Sequence, residues 1–315
     1  MQRDNRVLVI TGPTATGKTA LGVELALRLG GEILSADSMQ VYRGMDIGTA
    51  KVTPAETRGV PHHLIDVADP TEPFSVSRWV DLAAAAAEDI FARGRVPILA
   101  GGTNLYIDSL LSGRDFAEGP GDDGLRAALN AEYDRLGGDR FREALRRIDP
   151  ERAEKLAPAD RKRLVRAMEV YRLTGETITA HDARTKALPP RYPSLRWALS
   201  FQNREDLYAR IDARVGQMEA AGLFDEVAGL LDRGLGPEDT AMQAIGYKEA
   251  AAALTGQCSR AEALEAIRRE SRRYAKRQLT WLRRDKALRW VLWDSAPDIG
   301  RAADEIEAAW RTSNK

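Results

Sequence analysis

One glycine-rich motif constrains this chain more than anything else in it. Gly12-Pro13-Thr14-Ala15-Thr16-Gly17-Lys18-Thr19 matches the spacing G-x-x-x-x-G-K-[ST] throughout. Residues 6–11 ahead of it are a short apolar, β-prone run, and residues 19–29 behind it carry helical spacing. Strand, tight glycine turn and helix in that order gather main-chain N–H groups at a helix N-terminus, which makes an anion site. The motif predicts that residues 12–19 hold a phosphate or diphosphate. Lys18 would reach the terminal oxygens, and the Thr19 hydroxyl suits a Mg²⁺ ion bridging phosphates. A glycine turn that only caps a helix leaves Lys18 without a task.

The alternation continues down the chain. Residues 32–36 read as a strand ending at Asp37, 76–92 as an alanine-rich helix, and 96–100 as a strand ending at Gly101-Gly102. Such alternation predicts an α/β, P-loop NTPase-like fold, a mostly parallel sheet flanked by helices. Ligands collect at the carboxyl ends of such strands, so Gly12, Asp37 and Gly101 should meet in one crevice. The pattern then changes. Residues 116–123 are rich in Gly, Asp and Pro and read as a linker; 125–181 look helical, with breaks at Gly137-Gly138, Pro150, Pro158 and Gly175. After Pro189, Pro190 and Pro193 a β-like run resumes at 197–201, followed by long helices over 205–231 and 259–283, a strand at 288–293 and a helix at 302–310. The expected layout is a catalytic core of residues 1–117 and 191–315, with an inserted all-helical subdomain, 118–190.

Composition narrows the chemistry. A single cysteine, Cys258, excludes an internal disulfide, and with three histidines there is little material for a zinc cluster. No segment approaches membrane-spanning length and the amino terminus lacks a signal-peptide layout, so a cytoplasmic protein without membrane attachment is expected. Lys plus Arg equals Asp plus Glu at 47 each, so any nucleic-acid surface must be local.

Several residues are candidates for that chemistry. Asp37, after the second strand, can accept a proton from a nucleophile or help hold Mg²⁺, or it can simply cap a following helix. Gln40 can read a base edge. The segment Asp46-Ile-Gly-Thr-Ala-Lys51 can fold over substrate or form a polar turn. Thr103 follows a glycine pair that permits close approach. Arg210 and Arg214 lie one helical turn apart, where either can meet a leaving diphosphate or pair with Glu205 or Glu219. Arg268, Arg269, Arg272, Arg273, Lys276, Arg277, Arg283, Arg284 and Lys286 face only Glu270 and Asp285 in one stretch. Leu264, Ile267, Ser271, Tyr274, Gln278 and Leu282 give that stretch an apolar side, so the helix can dock and show cations to a sugar-phosphate backbone. Arg161, Lys162, Arg163 and Arg166 form a second positive patch, which suggests a clamp around folded RNA; Arg126 is a weaker member.

Taken in order, these segments resemble the bacterial tRNA dimethylallyltransferases. The matching stretches are the loop at 12–19, Asp37-Ser-Met-Gln-Val-Tyr42, Asp46-Ile-Gly-Thr-Ala-Lys51, Pro61-His-His-Leu-Ile-Asp66, Gly101-Gly-Thr103, Arg163-Leu-Val-Arg166, Ile245-Gly-Tyr-Lys-Glu249 and Arg273-Tyr-Ala-Lys-Arg-Gln-Leu-Thr-Trp281. The resemblance implies transfer of a dimethylallyl group from its diphosphate to N6 of adenosine 37 in tRNAs that read codons beginning with U. It implies a Mg²⁺-dependent monomer that receives the anticodon stem-loop. Asp37 then matches the catalytic carboxylate, Thr103 a contact of the flipped adenine, and Arg214 the diphosphate-binding arginine, beside Lys18 and Thr19. Ser38, Met39, Gln40, Arg126, Lys162, Arg163, Leu164, Val165 and Arg166 fall where the family contacts tRNA. So do Gln243, Ala244, Ile245, Gly246, Tyr247 and Lys248, and Lys276, Arg277, Gln278, Leu279, Thr280, Trp281, Leu282 and Arg283. A small-molecule or nucleoside kinase is the alternative; it accounts for the loop and Asp37 but leaves the basic helix idle.

Overall fold

The computed structural model describes residues 5–113 and 122–313. The boundary expected at 117/118, and most of the linker expected at 116–123, lie outside the described residues. The chain forms two compact units, residues 1–111 with 192–315, and residues 112–191.

The larger unit opens with β1 (Val7–Thr11), α1 (Lys18–Leu29), β2 (Gly31–Ala36), a single helical turn α2 (Pro54–Thr57), the two-residue β3 (His62–His63), α3 (Val76–Ala92), β4 (Val96–Gly101) and α4 (Asn104–Leu111). The smaller unit holds α5 (Asp123–Leu136), α6 (Gly138–Arg146), α7 (Pro150–Lys155), α8 (Arg161–Thr174) and α9 (Ile178–Lys186). The chain then returns with β5 (Ser194–Phe201), α10 (Arg204–Ala220), α11 (Leu223–Asp232), α12 (Tyr247–Leu254), α13 (Arg260–Leu282), β6 (Arg289–Trp293) and α14 (Ile299–Thr312).

The strands lie in the order β3-β2-β4-β1-β5-β6. Every neighbouring pair is parallel. A parallel sheet is stable only when both faces are covered, and the central strands are apolar on both sides, as β1 shows with all of its residues buried. Leu8, Ile10, Leu21, Leu25, Ile98, Leu199, Trp293 and Ile306 knit the sheet to its helices. In the smaller unit Phe141, Leu145, Leu164 and Met168 form a separate apolar centre. Among the described residues it holds no strand, and no described helix is long and apolar enough to cross a membrane.

Two features differ from the sequence reading. The helix expected over 205–231 is two helices, because Gly222 adopts φ 99° and starts a new one. No helix follows Asp37; its Oδ1 accepts the Met39 N–H at 2.9 Å in a local turn, so it is not a helix cap.

Candidate active site

Register brings the three loops together. In β1 Thr11 pairs with Gly101, and in β2 Ala36 pairs with the same Gly101. Gly12, Asp37 and Gly102 therefore leave the sheet side by side at the carboxyl ends of three adjacent strands. The crevice expected from the sequence forms, and strand order creates it.

The loop at 12–19 is held by its carbonyls. Pro13 O accepts Lys18 Nζ at 2.6 Å and Thr16 Oγ1 at 2.9 Å. Ala15 O accepts Arg210 Nε at 3.1 Å, and Thr16 O accepts the Trp293 indole N–H at 2.9 Å. With these carbonyls turned to the protein, the peptide units of the loop are fixed around its centre. Gly12 sits at φ 144°, and a Cβ there would lie 2.5 Å from Leu199 O, so only glycine fits.

Charge then gathers over the loop. Lys18 is half-buried and its pKa is lowered to about 7, first by burial and second by the Arg214 guanidinium, with Asp37 opposing. Burial also lowers the pKa of Arg214, and Asp37 and then Glu56 oppose it. Arg214 makes no hydrogen bond or ion pair with any described residue. Two cations thus face each other with Asp37 as their common counter-charge, a place that favours a polyanion. Arg210 and Arg214 differ: Arg210 holds the loop through Ala15 O, and Arg214 lies near enough to Lys18 and Asp37 for their charges to interact. Neither pairs with Glu205 or Glu219.

Next to Asp37, Thr103 Oγ1 accepts the Ser38 N–H at 3.1 Å. The Tyr274 phenol reaches Thr103 and Gln278; burial, then Asp37, push its pKa up to about 12. Sequence reading placed Tyr274 on the apolar side of the basic helix and missed it as a site residue. Tyr106 is likewise raised, by burial first and then by Tyr42 and Asp37, and its ring stacks on Trp79 at 4.6 Å between centroids.

Some expected RNA-reading side chains are otherwise engaged. The Gln40 amide donates to Thr49 O at 3.2 Å and Ala50 O at 3.3 Å and accepts Ser35 Oγ at 3.0 Å, so it braces the 46–51 segment and both of its N–H donors are engaged. Lys51 Nζ closes that segment onto Asp46, Asp66 and Tyr42 O. Leu164, Val165, Ala244, Tyr247, Gln278 and Leu282, expected where the family contacts tRNA, have buried side chains and hold the scaffold from which exposed neighbours project. Ser38, Met39, Gln243, Ile245, Gly246 and Lys248 lie on turns or helix starts around them. In the smaller unit, Lys162 and Arg163 are exposed on α8, while Arg166 and Arg126 both pair with the buried Glu169, at 2.8 and 2.9 Å.

The basic helix also divides. Arg268, Arg269, Arg272 and Arg273 pair with Glu265, Glu270 or Asp212. Lys276, Arg277, Arg283 and Arg284 are exposed, with no ion pair among the described residues. Lys276, Arg277, Thr280, Trp281 and Arg284 line an open depression of about 210 Å³. Leu279, beside them, packs against the core.

Comparison with known proteins decides what this geometry belongs to. A family profile described as IPP transferase matches residues 40–285, and one described as isopentenyl transferase matches residues 5–68. A tRNA dimethylallyltransferase of Desulforudis audaxviator is 49% identical over 301 residues, covering 95% of this chain and 96% of that protein. The chain belongs to the tRNA dimethylallyltransferase family. A Geobacillus thermodenitrificans member is 47% identical over 306 residues, covering 97% of this chain and 95% of its own. The crystal structure of a tRNA isopentenylpyrophosphate transferase from Bacillus halodurans superposes with TM-score 0.72 at 41% identity, covering 96% of each chain. A eukaryotic dimethylallyltransferase acting on tRNA gives TM-score 0.75 at 29% identity, over 88% of this chain and 69% of that one. The P-loop-like parallel sheet with an inserted helical unit is therefore the fold of the family.

For Mg²⁺, the candidate donor is the exposed Thr19 hydroxyl at the start of α1. No group of three or more His, Cys, Asp or Glu among the described residues forms a metal cage by itself. A single hydroxyl would suit an ion that takes its other ligands from substrate and water.

Proposed function

We propose that the protein transfers the dimethylallyl group of dimethylallyl diphosphate to N6 of adenosine 37 in tRNAs that read codons beginning with U. The N6–carbon bond forms, the carbon–oxygen bond to diphosphate breaks, and the N6 proton leaves. The observation that carries this reading is that the Asp37 charge acts both on Lys18 and Arg214 at the phosphate loop and on Tyr274, whose phenol reaches Thr103.

The roles follow from charge. Loop amides, Lys18 and Arg214 take the negative charge that grows on the leaving diphosphate. The Thr19 hydroxyl would help hold Mg²⁺, which neutralises phosphate charge when bound. Asp37 accepts the proton from the adenine amino group, a poor nucleophile whose lone pair is delocalised, and Thr103 orients the flipped base. Water is excluded from the allylic carbon as the acceptor enters. The exposed cations of α13 and Lys162 and Arg163 of α8 hold RNA phosphates.

The test is mass analysis of nucleosides from unmodified tRNA incubated with the protein and dimethylallyl diphosphate. A dimethylallyl adenosine confined to position 37 supports the reading. Label passing from ATP, with none from the dimethylallyl carbons, replaces it with phosphoryl transfer.

A further inference from the structure

Gln278 is 5% exposed, on the side of α13 that faces the sheet. Its Oε1 accepts the Thr14 main-chain N–H of the phosphate loop at 3.2 Å. Its Nε2 donates to Gly102 O, between β4 and Thr103, at 2.8 Å. A Cβ on residue 102 would lie 2.4 Å from that nitrogen, so glycine there is what admits the amide. The Tyr274 phenol, one turn earlier, reaches both Gln278 and Thr103. We propose that Gln278 is a positioning residue that ties the diphosphate-holding loop to the adenine-holding loop and so sets the separation of the two reacting partners.

Residue chemistry supports this role. The bridge needs a donor and an acceptor on one uncharged group at the end of two methylenes, which glutamine alone provides. Glutamate would set a carboxylate against the Gly102 carbonyl, and methionine would make neither bond. The same helix shows Lys276, Arg277 and Trp281 outward, so the bridge is rooted in the element expected to bind RNA. Group transfer is sensitive to such spacing, since a displacement of about 1 Å can cost about a hundredfold in rate.

The proposal rests on the dimethylallyl-transfer reading. Its test compares Gln278→Met and Gln278→Glu with the wild type in donor KM, single-turnover rate, tRNA affinity and affinity for inorganic diphosphate. Gln278→Met should lose about a hundredfold in kcat/KM for the donor while tRNA affinity stays within about threefold. In Gln278→Glu a buried carboxyl regains a donor only when protonated. Its rate relative to wild type should therefore recover toward about pH 6 and fall toward about pH 8.5. If Gln278→Met does not fold, that pH-dependent ratio carries the test alone. Wild-type donor kinetics in both variants, or weakened tRNA affinity with unchanged donor kinetics, would overturn the proposal. A wild-type protein that alkylates no tRNA fails the functional reading instead, and diphosphate affinity still reports on the bridge.

Discussion

The hydroxyl of Tyr247 donates to the carboxylate of Glu226, which also accepts the main-chain N–H groups of Asp46 and Ile47 at 2.8 Å and of Gly48 at 3.2 Å. One side chain thus joins α11, the start of α12 and the 46–51 segment. That segment in turn receives the Gln40 amide, three residues from Asp37. Replacing Glu226 with Ala leaves three N–H groups without their acceptor. We expect a loss of about 2–4 kcal/mol in urea unfolding, because each orphaned donor carries a desolvation cost. A loss below about 0.5 kcal/mol would show that the segment holds itself.

Asp37→Asn keeps an oxygen for the Met39 N–H but cannot take a proton. Turnover should fall by about 10²–10⁴-fold while tRNA affinity changes by less than about threefold. Single-turnover alkylation near the wild-type rate would remove Asp37 as the base.

Lys18 supplies a pH dependence. Its pKa in the free protein is about 7, against an ordinary value of 10.5. A bound polyanion favours the charged form, so above about pH 7 binding must take up a proton and affinity falls by up to about tenfold per pH unit. Below that, Lys18 already carries its charge and the dependence vanishes. Calorimetry of a non-hydrolysable donor analogue in buffers of differing ionisation enthalpy should show uptake at about pH 8 that is absent in Lys18→Met. Equal uptake in both proteins would place the titration elsewhere.

The two halves of α13 predict different salt behaviour. Changing Lys276, Arg277 and Arg284 together to Ala should lower the log–log salt slope of tRNA binding by about 2–3. Arg272→Ala, whose guanidinium is held by Asp212 at 2.6 Å, should leave the slope unchanged. Equal slopes for both variants and the wild type would mean that the exposed cations do not meet phosphate.

Much of this architecture is written locally. The glycine spacing of 12–19, the apolar runs of β1, β2 and β4 and the breaks after Leu111 are short-range patterns, and they are enough for a parallel α/β core. The bracing contacts of named and unnamed residues alike are non-local. Gln278 stands four residues after Tyr274 and four before Leu282, a polar residue inside a helical apolar stripe, and only burial reveals why it is tolerated there. Glu226 carries no signature, because its partners are main-chain N–H groups some 180 residues away in sequence.

The sequence by itself determined the anion loop, the alternation that makes a sheet, and the presence of a cation-rich helix, since each depends on neighbours within a few turns of chain. Tertiary structure decided which of those cations face solvent and which of the two arginines on α10 faces the loop. It also decided that the Asp37 charge reaches Lys18, Arg214 and Tyr274 together. Those outcomes follow from strand order and helix packing, which bring together groups that no sequence interval connects.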